Sequence, residues 1–304
     1  MFQVAVVGDR ESGRTTFLGL LYATQVRSGS DAEDRFRFHA RLESLPELTF
    51  IFEQLMSRTF PEPATKKGIT EISFDLGMSR ARRGFFSRRT EEWESSASST
   101  IRFKVLRSQD ESHHVETGSW STDEHSRTVL DSDAVVVMVD SARFAVPGES
   151  PEHSPMSRFD DMVERLLNPV QRLQESGKGG LLHPILMFAK FDRVSPDVLR
   201  AAKVAPEPPR VDKTGRRAAY AEALLKLNLP RTLARLKSKD DGGIRLGKPA
   251  YFFSWVRTEE SVPGHPEKIR LRRGALTSWE PDYSSEEYVG FLEYLAEIAS
   301  RSER

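Results

Sequence analysis

Cysteine is absent from the 304-residue sequence, which excludes disulfides and thiolate metal sites. Net charge is absent too. Lysine plus arginine and aspartate plus glutamate number 45 each, and a pI near 7.1 leaves no global basic field to draw in nucleic acid. No apolar run approaches the roughly 18 residues that span a bilayer, so no membrane helix is expected. The opening FQVAVVG has no basic segment before it and runs into a loop motif instead of a cleavage site, so a strand is expected there and not a leader. Together these absences favour a cytoplasmic protein.

The length suffices for one elaborated domain over residues 1–304, with insertions near 77–99, 141–156, 193–217 and 257–284. Short apolar runs alternate with helical patterns, which predicts an α/β fold. The expected sheet has about six mostly parallel strands with helices on both faces. Phe2 to Val7 reads as the first strand, followed by a helix from Arg14 to about Val26 with Phe17, Leu18, Leu20, Leu21 and Tyr22 on its apolar side. Residues 35–59 contain LPELTFIFEQLM, a second helix ending near FPEP. Ile69 to Leu76 and Thr100 to Leu106 alternate apolar and polar residues and read as a hairpin. Their connector carries an arginine cluster followed at once by Glu91, Glu92 and Glu94, as in a solvated loop and not an RNA-contacting one.

Ala134 to Asp140, AVVVMVD, is the kind of continuous apolar run that is buried on both faces of a parallel sheet, so it belongs at the centre. A helix from about Ser157 to Glu175 and a buried strand over Pro184 to Lys190 follow. After the proline-rich VAPEPPR, Ala218 to Lys237 reads as helical with a break or kink at Pro230. Tyr251 to Val256 is the last strand, and Ser285 to Ser300 closes the chain as an amphipathic helix.

Two motifs carry chemistry. Gly8-Asp9-Arg10-Glu11-Ser12-Gly13-Arg14-Thr15 keeps every element of the phosphate-binding loop G-x-x-x-x-G-K-[ST] except the lysine. Gly8 ends a strand, and Gly13 allows a tight backbone. The amides of residues 10–15 are expected to face an anion at the mouth of a helix whose dipole favours it. Gly8, Glu11, Ser12, Gly13, Arg14, Thr15 and Thr16 are therefore the candidate phosphate-binding residues, with the Thr15 hydroxyl placed to ligate Mg2+. Arg14 keeps the lysine's charge but spreads it over a longer, planar fork. The second motif is Lys190-Phe191-Asp192 after the next-to-last strand, where open α/β sheets place ligand contacts.

The order of phosphate loop, hairpin, VVVMVD strand, K-x-D strand, FFSW strand and closing helix resembles the Ras-like, TRAFAC-class GTPase fold over nearly the whole chain. The run from Gly8 through Thr15-Thr16-Phe17-Leu18 to Leu21-Tyr22, followed by Phe60-Pro61, resembles the bacterial double-GTPase-type proteins associated with conflict systems. The resemblance implies GTP or GDP with Mg2+ as ligands. It implies that Asp192 reads the guanine edge while the Lys190 stem lies along the base, with Ala189 in place of the usual asparagine. It puts Ser254 in the last guanine-binding loop, where a backbone amide meets the base, with Trp255 beside it. It also implies a first-switch threonine for magnesium and the γ-phosphate, either Thr65 or Thr70. A second-switch D-x-x-G has no clean counterpart: Asp110 lacks the glycine, and Glu116 has Gly118 one position too close. His113, His114 and His125 in that stretch read as loop histidines and not as a zinc site. Asp140 caps the central strand.

The leading expectation is a guanine-nucleotide switch, with Arg14 and Thr65 as its catalytic candidates and weak or partner-dependent hydrolysis. Its rival is a pseudo-GTPase that serves as an interaction module for protein partners. Adenine-nucleotide use is a third option, because Ala189 loosens the guanine assignment.

Overall fold

Strand β1 (Phe2–Gly8) sends Phe2, Val4 and Val6 to one face of the sheet and Ala5 and Val7 to the other, and the two sets belong to separate buried clusters. Helices must therefore cover both faces. The structure, a computed structural model, describes residues 1–28, 36–64, 71–78, 99–106, 128–129, 131–146, 155–167, 181–238, 245–259, 264–274 and 279–302. Helices α1 (Arg14–Ser28), α2 (Leu45–Met56) and α7 (Ser285–Ser302) pack on the Val4 side. The Val7 side is covered by α3 (Pro155–Leu167), the short α4 (Pro196–Ala201), α5 (Thr214–Asn228) and α6 (Pro230–Lys237).

The eight-stranded sheet runs β2 (Phe36–Ala40), β3 (Glu71–Met78), β4 (Ser99–Val105), β1, β5 (Ala134–Asp140), β6 (Leu181–Ala189). Beyond β6, both β7 (Arg245–Leu246) and β8 (Ala250–Phe253) pair with it. From β4 to β8 every pairing is parallel, while β3 is antiparallel to β4 and to β2. The architecture is thus the mostly parallel α/β sheet with helices on both faces that the alternation of runs predicts. AVVVMVD lies inside it, buried at every position. Ile72, Phe74 and Leu76 on β3, and Ile101, Phe103 and Val105 on β4, alternate inward as expected.

Some elements differ from expectation. Residues 36–40 form a strand ahead of α2, because Phe38 stacks on Phe74 at 4.3 Å in the antiparallel register. A two-stranded sheet of β9 (Leu271–Arg273) and β10 (Trp279–Pro281) lies within the 257–284 insertion. Pro230 separates two helices by occupying the first position of α6, where its missing N–H costs nothing.

A buried ion pair binds the far edge together. Both terminal guanidinium nitrogens of Arg217 on α5 meet Glu287 on α7, at 2.5 and 3.1 Å, and the guanidinium also donates to the carbonyls of Tyr251 and Pro209. Glu287 accepts in addition from the Phe253 amide at 2.9 Å. Burial pushes the Glu287 carboxyl above its ordinary value, and the Arg217 hydrogen bond and charge pull the other way.

Removing Arg217 strands a buried carboxylate, so Arg217→Ala is expected to cost about 3–5 kcal/mol at neutral pH. Because the folded-state pKa of Glu287 is raised, its contribution is fully present below the ordinary value of about 4.3 and is lost as pH rises through the folded value. Denaturant unfolding should therefore find the variant's deficit shrinking towards acid pH, and an unchanged deficit would exclude Glu287 ionisation as its source.

Candidate functional site

The first crossover after β1 goes to α1 on one face, and the crossover after the adjacent β5 goes to α3 on the other. The chain therefore parts beyond the carboxyl ends of β1 and β5, leaving the crevice where open α/β sheets take ligands. Gly8, Asp140 and Ala189 end the three strands around it.

The loop from Gly8 to α1 has the backbone of an anion cradle. Glu11 and Gly13 both adopt the left-handed region, at φ 64° and 91°, on either side of Ser12. Alternating hands turn successive N–H groups towards one concave side, and the first-turn amides of α1 have no acceptor within the helix. Gly8 is required by contact: a Cβ there would lie 2.5 Å from Ser12 Oγ and 2.9 Å from the Met138 Cβ. The Ser12 side chain is buried against it, and its hydroxyl has no hydrogen-bond partner among the described residues. Two of the amides expected to face an anion are used inside the loop. The Arg10 amide donates to its neighbour's carboxylate, Asp9 Oδ1, at 2.7 Å, and the Ser12 amide donates to the Asp9 carbonyl at 3.2 Å.

Charge around the loop is paired. Asp140 is 5% exposed and accepts from Lys190 Nζ at 2.8 Å, with Arg143 Nε at 3.3 Å and the Ala142 amide also at 3.3 Å. Arg143 spans back to Asp9 at 2.6 Å and to the Arg10 carbonyl at 2.9 Å. One acid–base chain, Asp9–Arg143–Asp140–Lys190, thereby ties the ends of β1, β5 and β6. Arg143 was not anticipated from sequence; the acid closing AVVVMVD was the available signal, since a buried carboxylate demands cations.

Arg14 is buried at the start of α1, and its Nη1 donates to the Leu106 carbonyl beyond β4. Thr15 Oγ1 accepts from the Ala64 amide at 2.8 Å, which docks the FPEPA segment onto the first turn of α1. A hydroxyl oxygen has two lone pairs, so this contact leaves one for a cation. No cluster of three or more His, Cys, Asp or Glu that could hold a metal occurs among the described residues. Thr15 is the described side chain that would hold a magnesium ion alongside the oxygens of a bound phosphate. Thr16 is half-buried in the same turn. Thr65, Thr70, Asp110, Glu116, Gly118, His113, His114 and His125 lie outside the described residues.

On the third side of the crevice, Lys190 is left-handed (φ 54°, ψ 37°) and starts a single 3-10 turn, Phe191–Arg193. The turn is held by the Phe191 amide on the Ser254 carbonyl at 3.0 Å, and it presents Asp192 to solvent. Crowding by its surroundings still pushes the Asp192 carboxyl above the ordinary range, against the nearby Arg193 and Arg257 charges. Ala189, where an asparagine was the motif residue, is the nearest side chain to Gly13; a Cβ there would sit 3.8 Å from its methyl. Ser254 corrects an expectation. Its amide donates to the Phe188 carbonyl at 2.8 Å and its hydroxyl pairs with Tyr288 at 2.7 Å, so it faces the core and not the crevice. The next amide, of Trp255, is likewise taken by Ser284 Oγ at 3.1 Å. The loop continues the β6–β8 pairing by one residue, and that extension consumes the donor.

No protein-family model matches the chain, and no curated protein matches it. Among solved structures, it is similar to the crystal structure of the S. cerevisiae Ski7 GTPase-like domain, bound to GDP and inorganic phosphate. Identity is 12% and the TM-score 0.34, over 82% of this chain and 43% of that chain. The chain thus spans less than half the length of that neighbour, and the site stands on its own geometry.

Asp140→Asn keeps the shape of the hub and removes its charge. Hydrogen bonds to charged groups contribute about 1.5–3 kcal/mol, so a loss of that size is expected in denaturant unfolding. Lys190→Ala should cost about 1 kcal/mol or less, because the ammonium is part-exposed and Arg143 still neutralises the carboxylate. Equal losses for the two variants would contradict a hub centred on Asp140.

Proposed function

We propose that the chain is a guanine-nucleotide-binding protein of the Ras-like class, one elaborated domain akin to the double-GTPase-type proteins. It acts in the cytoplasm as a switch with weak or partner-dependent GTP hydrolysis. The observation that carries this reading is the Gly8–Thr15 loop. Its two left-handed residues and its glycine-dependent contact with β5 form an anion cradle at the mouth of α1, and Lys190 and Asp192 follow β6 at the same end of the sheet. In this assignment the loop amides and Arg14 hold the phosphates, Thr15 offers its hydroxyl to Mg2+, and Asp192 accepts from the guanine edge. Bound magnesium would neutralise phosphate oxygens and so favour attack on the γ-phosphate. The chain's own residues orient the nucleotide. Thr65 is the first-switch candidate, and protein partners would supply what the chain lacks for turnover.

A second reading has specific support. The Thr15 hydroxyl already holds Ala64, Arg14 turns to Leu106, and the amides of Ser254 and Trp255 are committed. A pseudo-GTPase serving as an interaction module would have these features.

Calorimetric titration with GTP, GDP and ATP, with and without magnesium, separates the readings. Guanine nucleotides are expected to bind at least about tenfold more tightly than ATP, and Arg14→Ala to weaken them by at least about tenfold. Asp192→Asn should move preference to xanthosine nucleotide. Because an ionised Asp192 is the acceptor and its pKa is raised, guanine affinity should begin to fall at a higher pH than an ordinary aspartate would dictate. Equal affinity for ATP would remove the guanine assignment, and no binding of any nucleotide would leave the interaction module.

A further inference from the structure

The described part of the 257–284 insertion touches both the Phe191–Arg193 turn and the end of α2. Residues leaving β8 pair with it as irregular antiparallel ladders: Thr258 bridges Ile269, and Val256 bridges Tyr283. Further bonds run from Glu259 N to Lys268 O, Arg270 N to Arg257 O, Arg257 N to Asp282 O and Asp282 N to Arg270 O, all 2.8–2.9 Å. Ile269 is fully buried with the α1, α2 and α7 cluster, so the middle of this segment is fixed to the core.

Each of its two strands grips a different neighbour. Glu267 meets Arg193 at 2.5 Å, on the turn that carries Asp192. Glu259, on the other strand, meets Arg58 at 2.7 Å, and the Ile269 amide donates to the Arg58 carbonyl at 2.9 Å. Arg58 is itself left-handed (φ 63°) and ends α2, with its amide on the Leu55 carbonyl and the Thr59 amide on Gln54. Six residues further on, the Ala64 amide holds Thr15. A continuous path of contacts therefore runs from the Phe191–Arg193 turn through Glu267, Ile269 and Glu259 to Arg58 and the segment that latches the phosphate loop.

We propose that residues 255–259 and 264–270 are a strap coupling the Phe191–Arg193 turn to the 58–64 segment, with Glu267 and Glu259, on its two paired strands, as positioning residues. The nature of the ligand rests on the guanine-nucleotide reading; the coupling itself does not. A buried anchor with two exposed ion pairs beside it suits this role. The core holds the strap's path, while each pair can shift by rotamer changes when its loop moves, so occupancy on the Asp192 side changes the population of the Ala64–Thr15 contact.

Amide hydrogen exchange on the full chain, first without nucleotide, tests this. Glu267→Gln should accelerate exchange of the 58–64 amides by about three- to tenfold, although its own partner, Arg193, lies on the Phe191–Arg193 turn. Glu259→Gln should do the same for residues 191–194. Glu297→Gln, which breaks the separate Arg301 pair on α7, should affect neither. In a second arm, saturating guanosine, a base without phosphates, should slow the 58–64 amides in the wild type and not in the Glu259→Gln/Glu267→Gln variant. Loosening confined to each mutated pair would overturn the strap. Uniform acceleration that includes α7 would reduce it to plain loss of stability and would count against it equally. Guanosine that fails to bind would defeat the guanine reading, while the nucleotide-free exchange still decides the coupling.

Discussion

A carboxylate placed at the buried end of the central strand must be neutralised, and much of the site follows from that requirement. Asp140 cannot be left alone at 5% exposure without a penalty of several kcal/mol. Its cations come from the two nearest chain segments, Lys190 at the end of β6 and Arg143 in the turn just beyond β5. Reaching Asp140 fixes the Lys190 ammonium at the crevice mouth, and the left-handed backbone of Lys190 opens the turn that delivers Asp192 two residues later. Arg143 carries the constraint onward to Asp9 and the Arg10 carbonyl, so the phosphate-type loop is braced from outside as well as by its own bonds.

That brace shapes the electrostatics of the crevice. Asp9 and Asp140 are matched one for one by Arg143 and Lys190, so the chain of pairs leaves little net field of its own. Attraction for an anion then rests first on the concave run of amides and on the dipole of α1, both of which act at short range. Such a site selects by geometry more than by steering, in keeping with a protein whose total charge is zero.

Sequence pattern made the sheet legible because periods of two and continuous apolar runs are determined by burial. AVVVMVD, PILMFAK and the two alternating strands needed no tertiary information. FRFHA was harder, because an edge strand of five residues beside a long helical signal depends on pairing with β3, a partner distant in sequence. In the site, the strand–glycine–helix context pointed to the Gly8–Thr15 loop, and the position after the next-to-last strand pointed to Lys190–Asp192. What pattern could not supply was the direction of each donor. Ser254 occupies the expected loop, yet a one-residue extension of β8 pairing turns its amide to Phe188, and no local signal distinguishes these outcomes. Arg143 escaped for a related reason: its role exists only because Asp140, three residues earlier, is buried.

The motif departures also look different once contacts are known. Ala189 offers no hydrogen bond where an asparagine would, yet its methyl lies beside Gly13, and its small size lets the loop settle against the end of β6. The bracing that an amide side chain could have supplied comes from the Asp140–Lys190 and Asp9–Arg143 pairs instead. Arginine at position 14 fits the same logic. Its fork is long enough to reach the Leu106 carbonyl beyond β4, which a shorter point-charge ammonium leaving the same helix position would reach less readily. The substitutions at positions 14 and 189 are therefore not independent losses. They belong to one alternative way of fixing the same loop, in which charged contacts between strand ends replace bonds made within the motif, and a cradle so fixed keeps its anion geometry even though its sequence signature has faded.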